Sequence, residues 1–306
     1  MRKEFSATIE QLATQDESVL FITGDLGYSA FENLRDLLGD RFINAGVAEQ
    51  NMVGVAAGLA YKGFKVFCYS IAPFVVYRCL EQFRNDVCFH NLPVFLVGNG
   101  GGYGYGIMGS SHHALEDLAC LSSMQNVKAW VPGFSDEVEP VLQQIVAEAR
   151  PAYLRLGAGR TCPPSSYQSG SFKVLHEAPG AGITVFALGP IANNVLLALS
   201  QNEALQAHVN VISALYFPLQ LNDDILQLVQ AAPQVLVAEE HVSIGGLAQQ
   251  LSVQLLEKGV KISSFASLKA EGYPNGNYGS QAYHQRESGL DAEYLAQRLH
   301  YLLKTA

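Results

Sequence analysis

The chain has 306 residues, of which 49% are hydrophobic and 15% are charged, and its formal net charge is −9. This length suits two domains with cores of their own, and the low charged fraction suggests further surface buried against another subunit. The acidic balance argues against nucleic-acid binding, because a phosphate backbone requires basic patches. The sequence shows neither a signal peptide nor a bilayer-spanning stretch, and its five cysteines are scattered, so we expect a cytoplasmic protein.

Apolar runs rich in β-branched and aromatic residues alternate with helical patterns through the first half of the chain. The runs lie at residues 19–23, 65–69, 94–97, 129–131 and 152–156. Near-continuous apolar strands separated by helices are typical of a parallel sheet that is covered on both faces. The first half is therefore predicted to be an α/β domain.

The pattern is interrupted by glycine, proline and serine between residues 157 and 182, and then begins again. Further strand-like runs lie at residues 183–187, 209–212 and 234–238. Because this interruption has the composition of a linker, we predict two doubly wound α/β domains, residues 1–168 and 183–306, joined by a linker at 169–182.

Glu49 is the most unusual residue of the first half, because it begins a helix otherwise made of apolar and small residues. A buried carboxylate is costly unless it is protonated, paired or bonded to a ligand. An acidic residue in the first helical turn also complements the helix dipole, so position alone leaves both interpretations open.

Other chemistry-bearing residues follow predicted strands. Aromatic residues at 74 and 77 come just after one strand, a glycine-rich loop at 98–106 follows the next, and adjacent histidines at 112 and 113 are predicted at a helix start. Ligands of open α/β sheets bind at the carboxyl ends of the strands, so these segments are expected to share one edge with Asp25 and Arg155. Taken singly, each also has a structural explanation, as core aromatics, a flexible loop or a solvated helix start.

Together these segments resemble the thiamine-diphosphate-dependent transketolases, and in particular the C-terminal half found as a separate beta subunit. The resemblance covers nearly the whole chain and is carried by residues 24–26, 42–51, 72–74, 109–117, 153–157, 239–241 and 244–246. The Glu49 segment and the histidine segment, in this order and spacing, are its most specific parts.

The resemblance implies how this chain would hold the cofactor. Glu49 matches the glutamate that bonds a pyrimidine nitrogen and so activates the cofactor. Phe74 matches the aromatic residue that stacks on the pyrimidine, and Tyr77 is a weaker candidate for the same role. Leu26 matches an apolar contact that supports the bent cofactor, and Asp25 lies next to it.

The resemblance also implies substrate contacts. His112 matches a histidine that contacts the substrate and its developing oxyanions, and His113 is its neighbour with a less certain role. Ser29 is a further substrate candidate. Arg155 and Arg160 could hold an anionic group, because arginine pairs well with phosphate.

One expected element is missing. Transketolases hold Mg²⁺ and the diphosphate with a Gly-Asp-Gly segment and a later Asn, and this sequence contains no such pair. The chain is therefore expected to bind the pyrimidine half of thiamine diphosphate and to need an N-terminal partner subunit that carries Mg²⁺, in an α2β2 assembly. Met108 stands where an acid normally reads a sugar hydroxyl, which favours a specialised sugar or sugar derivative over an ordinary pentulose phosphate.

The resulting hypothesis is a split transketolase that transfers a two-carbon ketol unit. Its enzymatic rival is a beta subunit of a 2-oxoacid dehydrogenase, although the histidine segment looks like the transketolase pattern. A deoxyxylulose-phosphate synthase would need the missing metal-binding half in the same polypeptide. A noncatalytic scaffold subunit would not require Glu49, Phe74 and His112 together.

Overall fold

The computed structural model describes residues 1–27 and 30–304. Within them the strands form two sheets with helices packed on both faces, so the predicted α/β class is confirmed. The strands are β1 Val19–Thr23, β2 Phe42–Asn44, β3 Lys65–Ile71, β4 Val94–Asn99, β5 Lys128–Trp130, β6 Ala152–Leu156, β7 Tyr167–Ser169, β8 Phe172–His176, β9 Ile183–Leu188, β10 Val209–Ala214, β11 Tyr216–Phe217, β12 Gln234–Glu239 and β13 Ser264–Lys269.

The helices connect these strands in the alternation that the sequence predicts. They are α1 Arg2–Gln15, α2 Glu32–Leu38, α3 Glu49–Tyr61, α4 Ala72–Tyr77, α5 Leu80–Gln82, α6 Asp117–Ser122, α7 Val138–Glu148, α8 Ile191–Ser200, α9 Glu203–His208, α10 Asp223–Ala231, α11 Leu247–Glu257, α12 Gln281–Glu287 and α13 Ala292–Lys304. After α4, the short helix α5 continues as a π-helical segment, Phe83–Cys88.

The first sheet has the strand order β11-β5-β6-β4-β3-β1-β2 and is parallel except at its β11 edge. Strand residues alternate between two clusters of buried side chains. Leu20 and Ile22 point into one cluster, whereas Val19 and Phe21 point into the other. This period of two, with every position buried, explains why the strands read as continuous apolar runs.

The second sheet has the order β13-β12-β9-β10-β8-β7, with antiparallel pairing only where β8 meets its neighbours. The segment expected to be an irregular linker differs from that expectation, because β8 and the end of β7 lie within it. The two strands pair with each other and β8 also pairs with β10, so both extend this sheet, and the glycine at position 170 forms the turn between them at φ +62°. The division into domains at residues 168 and 183 stays a prediction.

The two halves share packing. The cluster that contains Leu20 also contains Phe186 and Val235 of the second sheet, and β11 joins the first sheet from the second half of the chain. No helix in the described ranges is long and apolar enough to cross a membrane. The carboxyl ends of β1, β3 and β4 form the edge at which the sequence predicts a site.

Candidate active site

Glu49 lies at this edge, where it begins α3 beside the ends of β1 and β3. Its side chain is 2% exposed. Ser70 donates its hydroxyl to Glu49 Oε1 over 3.1 Å, and Arg78 donates Nη1 to Oε2 over 2.8 Å. The carboxylate is therefore paired with a cation, as its apolar surroundings require.

Phe74 and His112 lie beside this carboxylate pair. The guanidinium carbon of Arg78 lies 3.9 Å from the centre of the Phe74 ring, so one arginine contacts both Glu49 and Phe74. The His112 ring meets Phe74 edge-on, with 5.0 Å between the ring centres. The three residues singled out in the sequence, Glu49, Phe74 and His112, thus line one site at the ends of β3 and β4.

His112 does not begin a helix, which differs from the sequence prediction. It ends a short 3₁₀ turn, Ser110–His112, and the next helix starts only at Asp117. Its Nδ1 lies 3.0 Å from Ser111 Oγ, so this contact engages Nδ1 and leaves Nε2 as the nitrogen for a ligand. The ring is half-buried, so it can contact a molecule that enters from solvent.

His113 is placed differently from its neighbour. Its side chain is buried, Nε2 donates to the Gly106 carbonyl over 2.8 Å, and the Tyr273 hydroxyl donates to Nδ1 over 2.7 Å. Burial lowers the pKa of His113, which favours the neutral ring that this bonding pattern requires. Because both nitrogens are occupied by protein groups, the predicted substrate contact by His113 is not supported.

Arg155 is also occupied within the protein. Its side chain is 6% exposed, its Nε lies 3.3 Å from Asp117 Oδ2, and its Nη2 donates to the carbonyls of Ala114 and Glu240 over 3.0 Å each. These bonds join residues 114–117, which follow the two histidines, to the second half of the chain. Because Nε and Nη2 are bonded within the protein, the geometry does not support the expected anion contact by Arg155.

Two other predicted residues lie at the margin of the site. Tyr77 exchanges hydrogen bonds with Glu116, donating to Oε2 over 2.9 Å and accepting from the backbone N–H over 3.0 Å, so it ties α4 to the start of α6. The tether fixes the hydroxyl of Tyr77, and stacking of its ring on the cofactor stays a prediction. Arg160 is exposed and lies past the end of β6, separated from β3 by β4, so it does not join the Glu49 site.

Asp25 and Leu26 line a separate cleft of about 260 Å³ at the ends of β1 and β2. Asp25 adopts the left-handed conformation at φ 59° and accepts a hydrogen bond from Asn44 Nδ2 over 2.9 Å. Aspartate and asparagine tolerate this conformation better than other residues with side chains. Ser29, the remaining predicted substrate residue, lies outside the described residues.

Sequence reasoning missed the partners of Glu49. Arg78 lies four residues after Phe74, a spacing that places both on one helical face, and this signal was available. Ser70 carried no comparable signal, because its role depends on which strand ends beside α3. No group of three or more metal-ligating side chains occurs among residues 1–27 and 30–304.

A parallel sheet whose carboxyl edge holds a buried carboxylate beside an aromatic face has the features of a binding domain for a flat heterocycle. Residues 1–162 match the family model described as transketolase, pyrimidine binding domain. The chain belongs to the transketolase family, as the resemblance in its sequence predicted, and corresponds to the C-terminal half of these enzymes.

Individual relatives agree with this assignment. The chain is 30% identical over 269 residues to one of the subunits of the apulose-4-phosphate transketolase of Phocaeicola vulgatus, covering 85% of each protein. It is also 30% identical to a 1-deoxy-D-xylulose-5-phosphate synthase of Syntrophus aciditrophicus, with 83% of this chain matching 39% of that enzyme. A solved structure described as a split gene transketolase, inactive beta4 tetramer, superposes with a TM-score of 0.84 at 26% identity, covering 99% of this chain and 98% of that one.

Proposed function

We propose that this chain is the pyrimidine-binding subunit of a split thiamine-diphosphate-dependent transketolase that moves a two-carbon ketol unit between sugars or sugar derivatives. The observation that carries the proposal is the grouping of Glu49, Phe74 and His112 at one sheet edge. A buried acceptor, an aromatic face and a half-buried imidazole supply a binding site for a ring and a proton-transferring group beside it.

The residues fit the aminopyrimidine half of thiamine diphosphate. Glu49 presents a buried carboxylate oxygen that already accepts a hydrogen bond from a planar nitrogen group, and Phe74 offers a ring face next to it. When bound, thiamine diphosphate supplies a nucleophilic carbon that adds to a carbonyl. Glu49 would hold the ring nitrogen, Phe74 would orient the ring plane, and His112 would exchange a proton with the substrate oxygen.

Mg²⁺ and the diphosphate are assigned to a partner subunit. Mg²⁺ requires hard oxygen ligands, and the sequence lacks the Gly-Asp-Gly segment with a later Asn by which transketolases hold it. The relative from Phocaeicola vulgatus is named as one subunit of its enzyme, and the beta4 tetramer of the solved relative is described as inactive. Both descriptions support an active enzyme of two kinds of subunit, for which we propose the composition α2β2.

A specialised ketose is the proposed donor class. Ile107 and Met108, just before the turn that ends in His112, are 76% and 55% exposed, so they give this side of the site an apolar surface. An acidic residue there would hydrogen-bond a hydroxyl, and methionine does not. The relative named for apulose 4-phosphate supports that sugar phosphate as the first donor to test.

A second candidate is a deoxyxylulose-phosphate-synthase reaction, which the match to that enzyme in Syntrophus aciditrophicus favours. The two reactions differ in their products. Pyruvate with an aldehyde releases carbon dioxide in the synthase reaction, whereas a ketose donor gives a carbonyl compound shortened by two carbons and no carbon dioxide. Measuring both with the same reconstituted enzyme separates them.

The deciding experiment is calorimetric titration of thiamine diphosphate and Mg²⁺ into this chain alone and then into its mixture with the N-terminal subunit. Binding only in the mixture is expected. The Glu49→Gln variant should lose turnover by about 100-fold or more with its melting temperature close to that of the wild type. Tight binding by this chain alone would place the metal site here and contradict the split arrangement.

A further inference from the structure

Arg78 makes the same two contacts that an aminopyrimidine ring protonated at its ring nitrogen would make. Its Nη1 donates to Glu49 Oε2 over 2.8 Å, and its guanidinium carbon lies 3.9 Å from the centre of the Phe74 ring. A guanidinium is planar, carries N–H donors in its plane and stacks on aromatic faces. Arg78 therefore resembles the ring in shape, in hydrogen bonding and in stacking.

Two flat groups cannot occupy the same position beside Glu49 and against the Phe74 ring at once. Glu49 Oε1 accepts from Ser70 and Oε2 accepts from Arg78, so a ring that bonds Oε2 from this side meets the guanidinium. The same guanidinium lies over the Phe74 ring. A ring that binds both residues must displace Arg78.

The arginine is able to leave. Its side chain is 43% exposed, whereas Glu49 is 2% exposed. Rotation of its long side chain into solvent would rehydrate the charged group without opening the core. The contact is held by an ion pair and a cation–π contact at a partly exposed position, each of which is modest in strength.

We propose, on the basis of the function proposed above, that Arg78 is an internal competitor of the cofactor. In the cofactor-free chain it compensates the charge of Glu49 and covers Phe74, and it swings out when the aminopyrimidine ring enters. Its presence stabilises the empty subunit and at the same time weakens ring binding, since the competent state is only part of the population.

This arrangement predicts two effects of opposite sign for Arg78→Ala. Without ligand the variant should melt at a lower temperature than the wild type, because Glu49 loses its cation. Its affinity for the ring should rise by about five- to tenfold, because the competitor is gone. If Arg78 merely supported the fold or helped to hold the ring, its replacement by alanine would lower both the melting temperature and the affinity for the ring.

The probe is 4-amino-2-methylpyrimidine, which carries the ring without diphosphate, so that neither Mg²⁺ nor the partner subunit is needed. Binding to the full chain is measured by ligand-detected NMR titration for the wild type, Arg78→Ala and Arg84→Ala. Arg84 is the matched control, because it is an exposed arginine of the same segment whose guanidinium bonds the neighbouring Asn85. Its variant should bind like the wild type.

Weaker or unchanged binding by Arg78→Ala would overturn the proposal. Arg78→Lys serves if the alanine variant fails to fold: it keeps the charge but loses the flat group, and its affinity should lie between the other two. Glu49→Gln separates the two proposals, since normal ring binding by that variant would refute the assigned site itself.

Discussion

Replacing Asp117 by Asn tests whether the buried ion pair of Asp117 and Arg155 helps to hold the two halves of the chain together. The side chains of Asp117 and Arg155 are 0% and 6% exposed, with 3.3 Å between Oδ2 and Nε. Tyr153 also donates its hydroxyl to Oδ2 over 2.7 Å. Asparagine has nearly the same shape, so the substitution removes the charge and leaves the buried guanidinium uncompensated.

The expected cost is about 3–5 kcal/mol of the free energy of unfolding, which is typical when one partner of a buried ion pair is removed. For a chain of this size such a loss lowers the melting temperature by roughly 10 °C. The matched control is Glu271→Gln. That residue pairs with Lys269 over 2.9 Å with 51% and 35% of the two side chains exposed, and an exposed pair contributes about 0–1 kcal/mol.

Urea unfolding and scanning calorimetry of both variants at one pH provide the measurement. An Asp117→Asn loss as small as that of Glu271→Gln would refute the reasoning, since it would mean that Arg155 reaches solvent. The double variant Asp117→Asn, Arg155→Met gives a second check. Removing Arg155 should lower the free energy of unfolding less in the Asp117→Asn variant than in the wild type, because the guanidinium is already unpaired in that variant.

Three further predictions concern histidines. His112→Ala should lower turnover of the donor by about 100-fold with little effect on cofactor affinity, and equal loss of both would mark a structural residue. Burial lowers the pKa of His241 from 6.5 to about 4, so its contribution to stability is present near pH 7 and is lost as the pH falls from 6.5 through 4. The urea midpoint of His241→Gln should therefore drop less between pH 7 and pH 5 than that of the wild type. An equal drop in the two proteins would contradict this prediction. Tyr273→Phe leaves His113 Nδ1 without its donor and should cost about 1–3 kcal/mol by thermal unfolding, whereas an unaltered melting temperature would show that water replaces the hydroxyl.

The strands that form the floor of the site were predictable, because their burial on both faces leaves a continuous apolar run. Residues 19–23 and 152–156 carry strands with the predicted bounds. Glu49 was predictable for the opposite reason, since a carboxylate in an apolar helix requires a compensating partner. Its partner Arg78 was only partly predictable, because the spacing from Phe74 indicates a shared helical face, whereas the contact with Glu49 depends on how α4 packs beside α3.

The adjacent histidines at 112 and 113 show where a sequence pattern stops being informative. His112 and His113 are adjacent and chemically identical, yet one is half-buried beside Phe74 and the other is buried between Gly106 and Tyr273. Tyr273 is 160 residues away in the sequence. Contacts of this range decide which imidazole is free, and no local periodicity records them. The same holds for Arg155, whose partners come from two separate segments, residues 114–117 and Glu240.

Strand β11 has a consequence for how such a chain can be divided. It comes from the second half of the sequence but pairs with β5, with Tyr216 opposite Trp130. A cut placed between the two sheets, whether by a protease or by gene fission, would leave one fragment with an unpaired edge and the other with an orphan strand. Selection would therefore act against a gene division between these two sheets, which keeps them together on one polypeptide.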